Sequence, residues 1–450
     1  MVVQKFGGTS VADPDAIRRL MEIVRTARAR DGVGPAVVVS AMSGVTDALL
    51  RVAADAAEGR AADAHAGVAK VRERHLAAAA DLAPGDTELV VQLTDQCQQL
   101  DGVVSTLSTV REVSPRMSDV VAAAGELLSS RLVAAALTHA GLHGEWVDSR
   151  RAIVTNDAHM RAVPLSNETN AALRASVGSS LTAGRVPVLG GFVGATVDGH
   201  TTTLGRGGSD YSGALVGAGV GAREIQIWTD VDGMLTADPR VVSSPRLVPH
   251  LSFAEAAELA YFGAKVLHPA TILPAVEHDI PVRILNSRRP DGRGSVITAT
   301  PAPDATPVTA FACKKELTVV DITSSRMLMA YGFLRQVFEV FEQFRTAVDV
   351  VTTSEVSISL TVDDRRNLDA IVTALGAFGE VSVEHEMALV CAVGDRLRAE
   401  PEIAARVVTV LEEVPLRMIS QAAARRNITV IMRQADLSHA MHRLHEEFFG

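Results

Sequence analysis

The chain has 450 residues, 47% of them hydrophobic and 21% charged, which suits two or three globular domains and excludes a disordered chain. Its 43 Lys and Arg against 53 Asp and Glu leave a net charge of −10, which repels a phosphate backbone, so nucleic acid is not an expected partner. The start M-V-V-Q-K-F-G-G does not read as a basic leader followed by a long apolar core, and no later window approaches the ~20 uninterrupted apolar residues of a membrane span, so a soluble, cytoplasmic protein with no membrane partner is expected.

Through residue 300, short β-rich runs at 36–40, 186–192, 224–229 and 282–285 alternate with long amphipathic stretches. Parallel strands need crossovers and helices bury the sheet faces, so the alternation predicts an α/β sandwich with a mostly parallel sheet. Residues 299–307 carry three prolines and no large apolar side chain, the composition of an extended linker. Residues 1–300 are therefore expected to be the catalytic domain and 301–307 the linker.

Beyond it a small unit occurs twice. A strand at 317–322 precedes Leu334, Val337, Phe338, Phe341 and Phe344 at helical spacing, then strands at 348–352 and 356–362, a helix at 367–378 and a strand at 381–384. That is β-α-β-β-α-β over 316–385. The cycle recurs over 386–450 as strand 388–393, helix 403–414, strands 417–420 and 428–432 and helix 437–448. It lacks a first strand unless the stretch 308–315 supplies one. Cys97, Cys313 and Cys391 are too far apart for a disulfide framework or a zinc site, and read as buried side chains.

Three stretches carry chemistry. Lys5-Phe6-Gly7-Gly8-Thr9-Ser10 follows an apolar start and leaves backbone N–H groups open to an anion, although its spacing alone fits an ordinary strand-end turn equally well. Residues 201–210 bring Arg206, flanked by Gly205, Gly207 and Gly208, to the start of an apolar helix, an anion site with a planar guanidinium in it. Trp228-Thr229-Asp230-Val231-Asp232-Gly233 runs a strand into an acidic turn, and Asp238-Pro239-Arg240 reads most simply as Asx-turn chemistry. Residues 217–222 match a dinucleotide fingerprint, but they follow a helix and precede a strand, the reverse of what a pyrophosphate needs.

Together, K-F-G-G-T-S-V, T-T-L-G-R-G-G-S-D-Y, W-T-D-V-D-G with T-A-D-P-R, and F-G-A-K-V-L-H-P-A-T resemble the aspartate kinases along essentially the whole chain. The C-terminal repeat resembles their tandem ACT domains. The resemblance implies an amino-acid-kinase three-layer αβα sandwich followed by two ferredoxin-like ACT domains. It implies transfer of the γ-phosphate of ATP, carried with Mg2+, to L-aspartate, giving 4-phospho-L-aspartate on the way to lysine, threonine and methionine.

Carried over residue by residue, the resemblance assigns Lys5, Gly7, Gly8 and Asp210 to the transferring phosphoryl group. It assigns Arg206 to the aspartate α-carboxylate, Glu126 to its ammonium, and Ser40, Thr46 and Ser209 as hydroxyl partners. Lys5, Thr229, Asp230, Arg240 and Lys265 would meet the nucleotide, with Leu235 where some members carry tyrosine, and no resident metal is expected. An effector, lysine first, would use Asp349 for its ammonium and the helix start at Gly332, Phe333 and Leu334 for its carboxylate, near Met327, Val348, Ser354 and Glu355. Ala330 and Ala347 replace serines of lysine-sensitive members. A homodimer through the ACT domains, or a tetramer, is implied. The alternative is a non-catalytic amino-acid sensor with a kinase-like domain, against which intact Lys5, Arg206 and Asp230 argue.

Overall fold

The computed structural model describes residues 1–263, 269–301, 306–327, 331–397, 399–421 and 425–450. Its strands are β1 (Val2–Phe6), β2 (Ala36–Val39), β3 (Gly144–Val147), β4 (Val154–Thr155), β5 (Val186–Gly190), β6 (Val193–Thr196), β7 (Thr201–Thr203), β8 (Glu224–Thr229), β9 (His250–Ser252), β10 (Val282–Asn286), β11 (Ser295–Thr298), β12 (Ala310–Thr323), β13 (Val351–Thr353), β14 (Ser357–Val362), β15 (Glu380–Val393), β16 (Leu416–Gln421) and β17 (Asn427–Arg433). Its helices are α1 (Pro14–Asp31), α2 (Val45–Ala57), α3 (Ala61–Leu82), α4 (Thr87–Val110), α5 (Pro115–His139), α6 (Ser149–Ala152), α7 (Ser166–Leu173), α8 (Ser179–Thr182), α9 (Gly208–Val220), α10 (Phe253–Tyr261), α11 (Leu273–Glu277), α12 (Phe333–Gln343), α13 (Leu368–Leu375), α14 (Pro401–Val410) and α15 (Leu437–Phe449).

Two compact units result: Met1–Met234 with Pro249–Phe253 and Val266–Thr300, and Leu235–Val248 with Ala254–Lys265 and Pro301–Gly450. The first is built on an eight-stranded sheet, β3-β5-β2-β1-β8-β10-β11-β9, parallel except where β10 meets β11. Strands β1, β2 and β5 are buried along their whole length, which is why β2 reads as an unbroken Ala-Val-Val-Val run. Side chains alternate across the sheet. Phe6, Val37 and Val39 pack in one core with Ile17 and Leu20 of α1 and Leu128 and Leu132 of α5. Each fully buried Leu or Ile there contributes ~2 kcal/mol. Lys5 faces the other way, where a Cβ on Gly213 of α9 would lie 3.2 Å from its Cβ.

Local chemistry sets the helix ends. The Asp13 carboxylate accepts the Ala16 N–H at 2.8 Å ahead of Pro14, and left-handed Gly32 (φ +70°) closes α1. Helix α5 is long and apolar enough to cross a membrane, but 83% of its apolar window is buried inside the fold, the position of a core helix. The dinucleotide-like run 217–222 is the end of α9, capped by left-handed Gly221, as its order implied.

The second unit holds a six-stranded antiparallel sheet, β13-β14-β12-β15-β17-β16. Two βαββαβ cycles share it through β12 and β15, both 14 residues long. Three expectations are corrected here. The strands read at 381–384 and 388–393 are one strand, whose pairing with β12 shifts register near left-handed Glu386 (φ +55°). Residues 310–314 do not supply the first strand of the second cycle. They pair with 389–393, which is that first strand, and so stand in the place of the fourth. The first 300 residues also do not form one unit. The segment Leu235–Val248 joins the second because Ala237 and Val242 bury in a core with Val390, Val430 and Met441, and Thr236 O accepts the Phe311 N–H at 2.8 Å. Residues 302–305 of the expected linker lie outside the described residues.

Candidate active site

Strands β1, β2, β5 and β8 all end at one edge of the first sheet, where the chain order reverses on either side of β1. In parallel sheets such a switch point leaves a crevice beyond the strand ends. A cleft of about 680 Å³ lies there, within the range of small-ligand sites. Lys5, Gly7 and Gly8 reach it from the end of β1, Ser40 from β2, Thr46 from α2, Glu126 from α5, and Thr229 and Asp230 from β8. Arg206, Ser209 and Asp210 enter from the loop and first turn of α9. The N-termini of α2 and α9 open on the same space, started by left-handed Gly44 and Gly207 with no side-chain cap, so their free N–H groups favour an anion.

Cations and anions in the cleft are arranged unequally. The Lys5 ammonium lies 2.6 Å from Asp210 Oδ1, but off the hydrogen-bonding direction, so the oxygen is ion-paired without a well-formed hydrogen bond. Arg206 is exposed and makes no ion pair among the described residues. Glu126 is 3% exposed, and its Oε2 finds no hydrogen-bond partner among them. Burial pushes its carboxyl up to about 8, against the Ala41 backbone and the Lys5 charge, which favour the ionised form. A buried acid with an open oxygen is costly unless a cation arrives.

Close backbone contacts fix the walls. A Cβ on Gly8 would stand 3.2 Å from Ala41 O, and one on Gly191 would stand 2.8 Å from Ser209 Cα and Cβ. Phe192 takes a left-handed conformation (φ +66°), rare for an aromatic residue, held by its N–H donating to Ser212 Oγ at 2.9 Å.

Against known proteins, the amino acid kinase family matches residues 1–286 and the ACT domain family matches 390–448. The lysine-sensitive aspartokinase 3 of Escherichia coli is 34% identical across 100% of this chain and 99% of its own length. The chloroplastic aspartokinase 3 of Arabidopsis thaliana is 36% identical across 99% of this chain and 81% of its own. The chain belongs to the aspartokinase family. The E. coli aspartokinase III structure with aspartate and ADP matches over 100% of both chains with a TM-score of 0.83 at 33% identity, and that with lysine and aspartate with 0.85 at 34%.

Two nucleotide residues expected from the aspartokinase resemblance, Leu235 and Arg240, do not line this cleft and belong to the second unit, and the third, Lys265, lies outside the described residues. Arg240 is clasped by Asp238, which also accepts its backbone N–H at 2.8 Å, the Asx-turn chemistry read from the sequence. That clasp holds the Asp238 carboxyl below the usual range.

Of the effector residues, Gly332 (φ +80°) starts α12, Phe333 is buried, and Leu334, Ala347, Ser354 and Glu355 are exposed. Met327 and Val348 pack on the first cycle's core, and Ala330 lies outside the described residues. Asp349 is already engaged. Lys314 Nζ lies 2.8 Å from its Oδ2 and 2.7 Å from Asp363 Oδ2, and the Tyr261 hydroxyl approaches Oδ1 at 3.5 Å.

Sequence reasoning missed Ser43, Gly44, Asp47 and Phe192 as cleft residues. For Gly44 a signal existed, a glycine directly ahead of an amphipathic helix. Ser105, His65 and Asp101 have the order of a nucleophile triad, but Ser105 Oγ donates to the Asp101 carbonyl at 2.9 Å and lies 3.5 Å from His65 Nε2 on an exposed helix surface.

Proposed function

We propose that this cleft transfers the γ-phosphate of ATP, entering with Mg2+, to the β-carboxylate of L-aspartate, giving 4-phospho-L-aspartate. The observation that carries the reading is Glu126: a buried carboxyl with an open oxygen in a cleft that also presents a free guanidinium at Arg206. A ligand with an ammonium and a carboxylate on one carbon satisfies both.

The acceptor needs no general base, because an aspartate side chain of pKa ~3.9 is ionised at neutral pH. Positioning and charge do the work. Lys5, held by Asp210, meets the transferring phosphoryl, with the Gly7 and Gly8 amides on its oxygens. Arg206 takes the α-carboxylate, Glu126 the ammonium, and Ser40, Thr46 and Ser209 the remaining polar groups. Thr229 and Asp230 border the nucleotide.

The second unit binds an amino-acid effector, lysine first, at the start of α12, where it competes with Lys314 for Asp349. Exposed Tyr331, Leu334 and Phe338 beside that site suit a second copy of the chain, so a homodimer through the ACT domains is the expected assembly.

Incubation with ATP, Mg2+ and each acid, trapping acyl phosphate as its hydroxamate, tests the reaction. Product from aspartate is expected, and product from glutamate alone overturns the reading. Unchanged activity at millimolar lysine overturns the effector assignment and leaves the enzyme in place.

A further inference from the structure

Asp119 lies on α5 seven residues before Glu126, two helical turns away and therefore on the same face. It is 1% exposed. Its carboxylate collects donors from three residues: Oδ1 accepts the Thr203 hydroxyl and the Met160 N–H at 2.9 Å, and Oδ2 accepts His159 Nδ1 at 2.7 Å. A carboxylate accepts only, so His159 presents its Nδ1 proton to it. The Ala162 N–H donates to Thr203 O at 2.9 Å, closing the turn 158–162 onto β7.

This knot stands directly under the Arg206 loop. Thr203 is the last residue of β7, three before Arg206. Gly205 packs so tightly on the turn that a Cβ there would lie 3.1 Å from Met160 O. Beyond Gly205 the loop passes through left-handed Gly207 into α9, whose first residue Gly208 donates its N–H to Gly205 O at 2.9 Å. Arg206 has no side-chain partner of its own among the described residues, so its placement is inherited from the backbone on either side, the end of β7 and the start of α9.

We propose that Asp119 is a positioning residue for the acceptor. Through Thr203 and the 158–162 turn it fixes the loop that carries Arg206, so α5 sets the distance between the ammonium site at Glu126 and the carboxylate site at Arg206. This rests on the Arg206 role proposed above.

Asp119→Asn and the near-isosteric Thr203→Val test it, with Thr203→Ser as the variant that restores the hydroxyl and R206A as reference. Misplacing the guanidinium should raise the KM for aspartate by roughly tenfold or more in D119N and T203V. The KM for ATP stays within about twofold of wild type. T203S returns to the wild-type KM. Competitive inhibition by 3-aminopropanoate, which keeps the amine and reacting carboxylate but lacks the α-carboxylate, is unchanged in D119N and T203V. The proposal is overturned if the aspartate KM stays put, or if the aspartate KM, the ATP KM and the 3-aminopropanoate constant rise in step, as general loosening would make them. If R206A itself leaves the aspartate KM unaltered, the Arg206 reading fails instead.

Discussion

Glu126 makes substrate binding depend on pH in a window where aspartate itself does not titrate. With its carboxyl at about 8, about one empty site in eleven carries the charge at pH 7 and about three in four at pH 8.5. Only the charged form receives an ammonium well, so the aspartate KM should fall about eightfold between those values. Glu126→Gln should raise the KM and abolish the slope. Stability moves the other way. The folded carboxyl is raised above its ordinary 4.5, so stability is full below 4.5 and lost as pH rises through 8. At pH 7 the loss is on the order of 3 kcal/mol at ~1.4 kcal/mol per pKa unit. The glutamine variant should therefore melt higher than wild type at pH 8, with the gap closing towards pH 4.5. Initial rates against aspartate from pH 6.5 to 8.5, with ATP saturating, give the slope. An aspartate KM flat across that range in wild type, or the same slope in E126Q, refutes the reasoning.

Three further outcomes are expected. His75 is fully buried with Nδ1 bonded to Val71 O and Nε2 without a partner among the described residues, and burial pushes it down to about 4. The unfolded chain therefore takes its proton first, and wild type should lose about 2 kcal/mol of stability to this group between pH 7 and 5 by urea melts, a loss absent in His75→Met; equal losses in both would disprove it. Gly191→Ala drives a Cβ against the Ser209 backbone, and a displacement approaching ~1 Å should lower kcat/KM towards ~10²-fold with a small change in melting temperature; full activity would show that the α9 start tolerates the shift. Lys314→Met frees Asp349 and Asp363, two like charges that then seek a cation, so inhibition by lysine should tighten severalfold; unchanged inhibition would remove Lys314 from the effector site.

Contiguous features were legible in the sequence. The glycines around Lys5 and Arg206, the strand running into Asp230, and the reversed order of 217–222 are local patterns, and local backbone chemistry decides them. The duplicated βαββα pattern was readable too, because period and turn residues are local. Which strand completes the second cycle was not, because 310–314 pairs with residues some 80 positions later in the chain, and burial of Phe311 decides the partner.

By itself the sequence determined the residue types of the cleft and the family that uses them. Tertiary structure alone decided their electrical character. Glu126 in an alanine-rich helix and Asp119 one face-repeat earlier look like any helix carboxylates. One becomes a raised acid with an open oxygen and the other a hub that gathers donors from His159, Met160 and Thr203, because desolvation and the donors within reach depend on packing that no local pattern encodes.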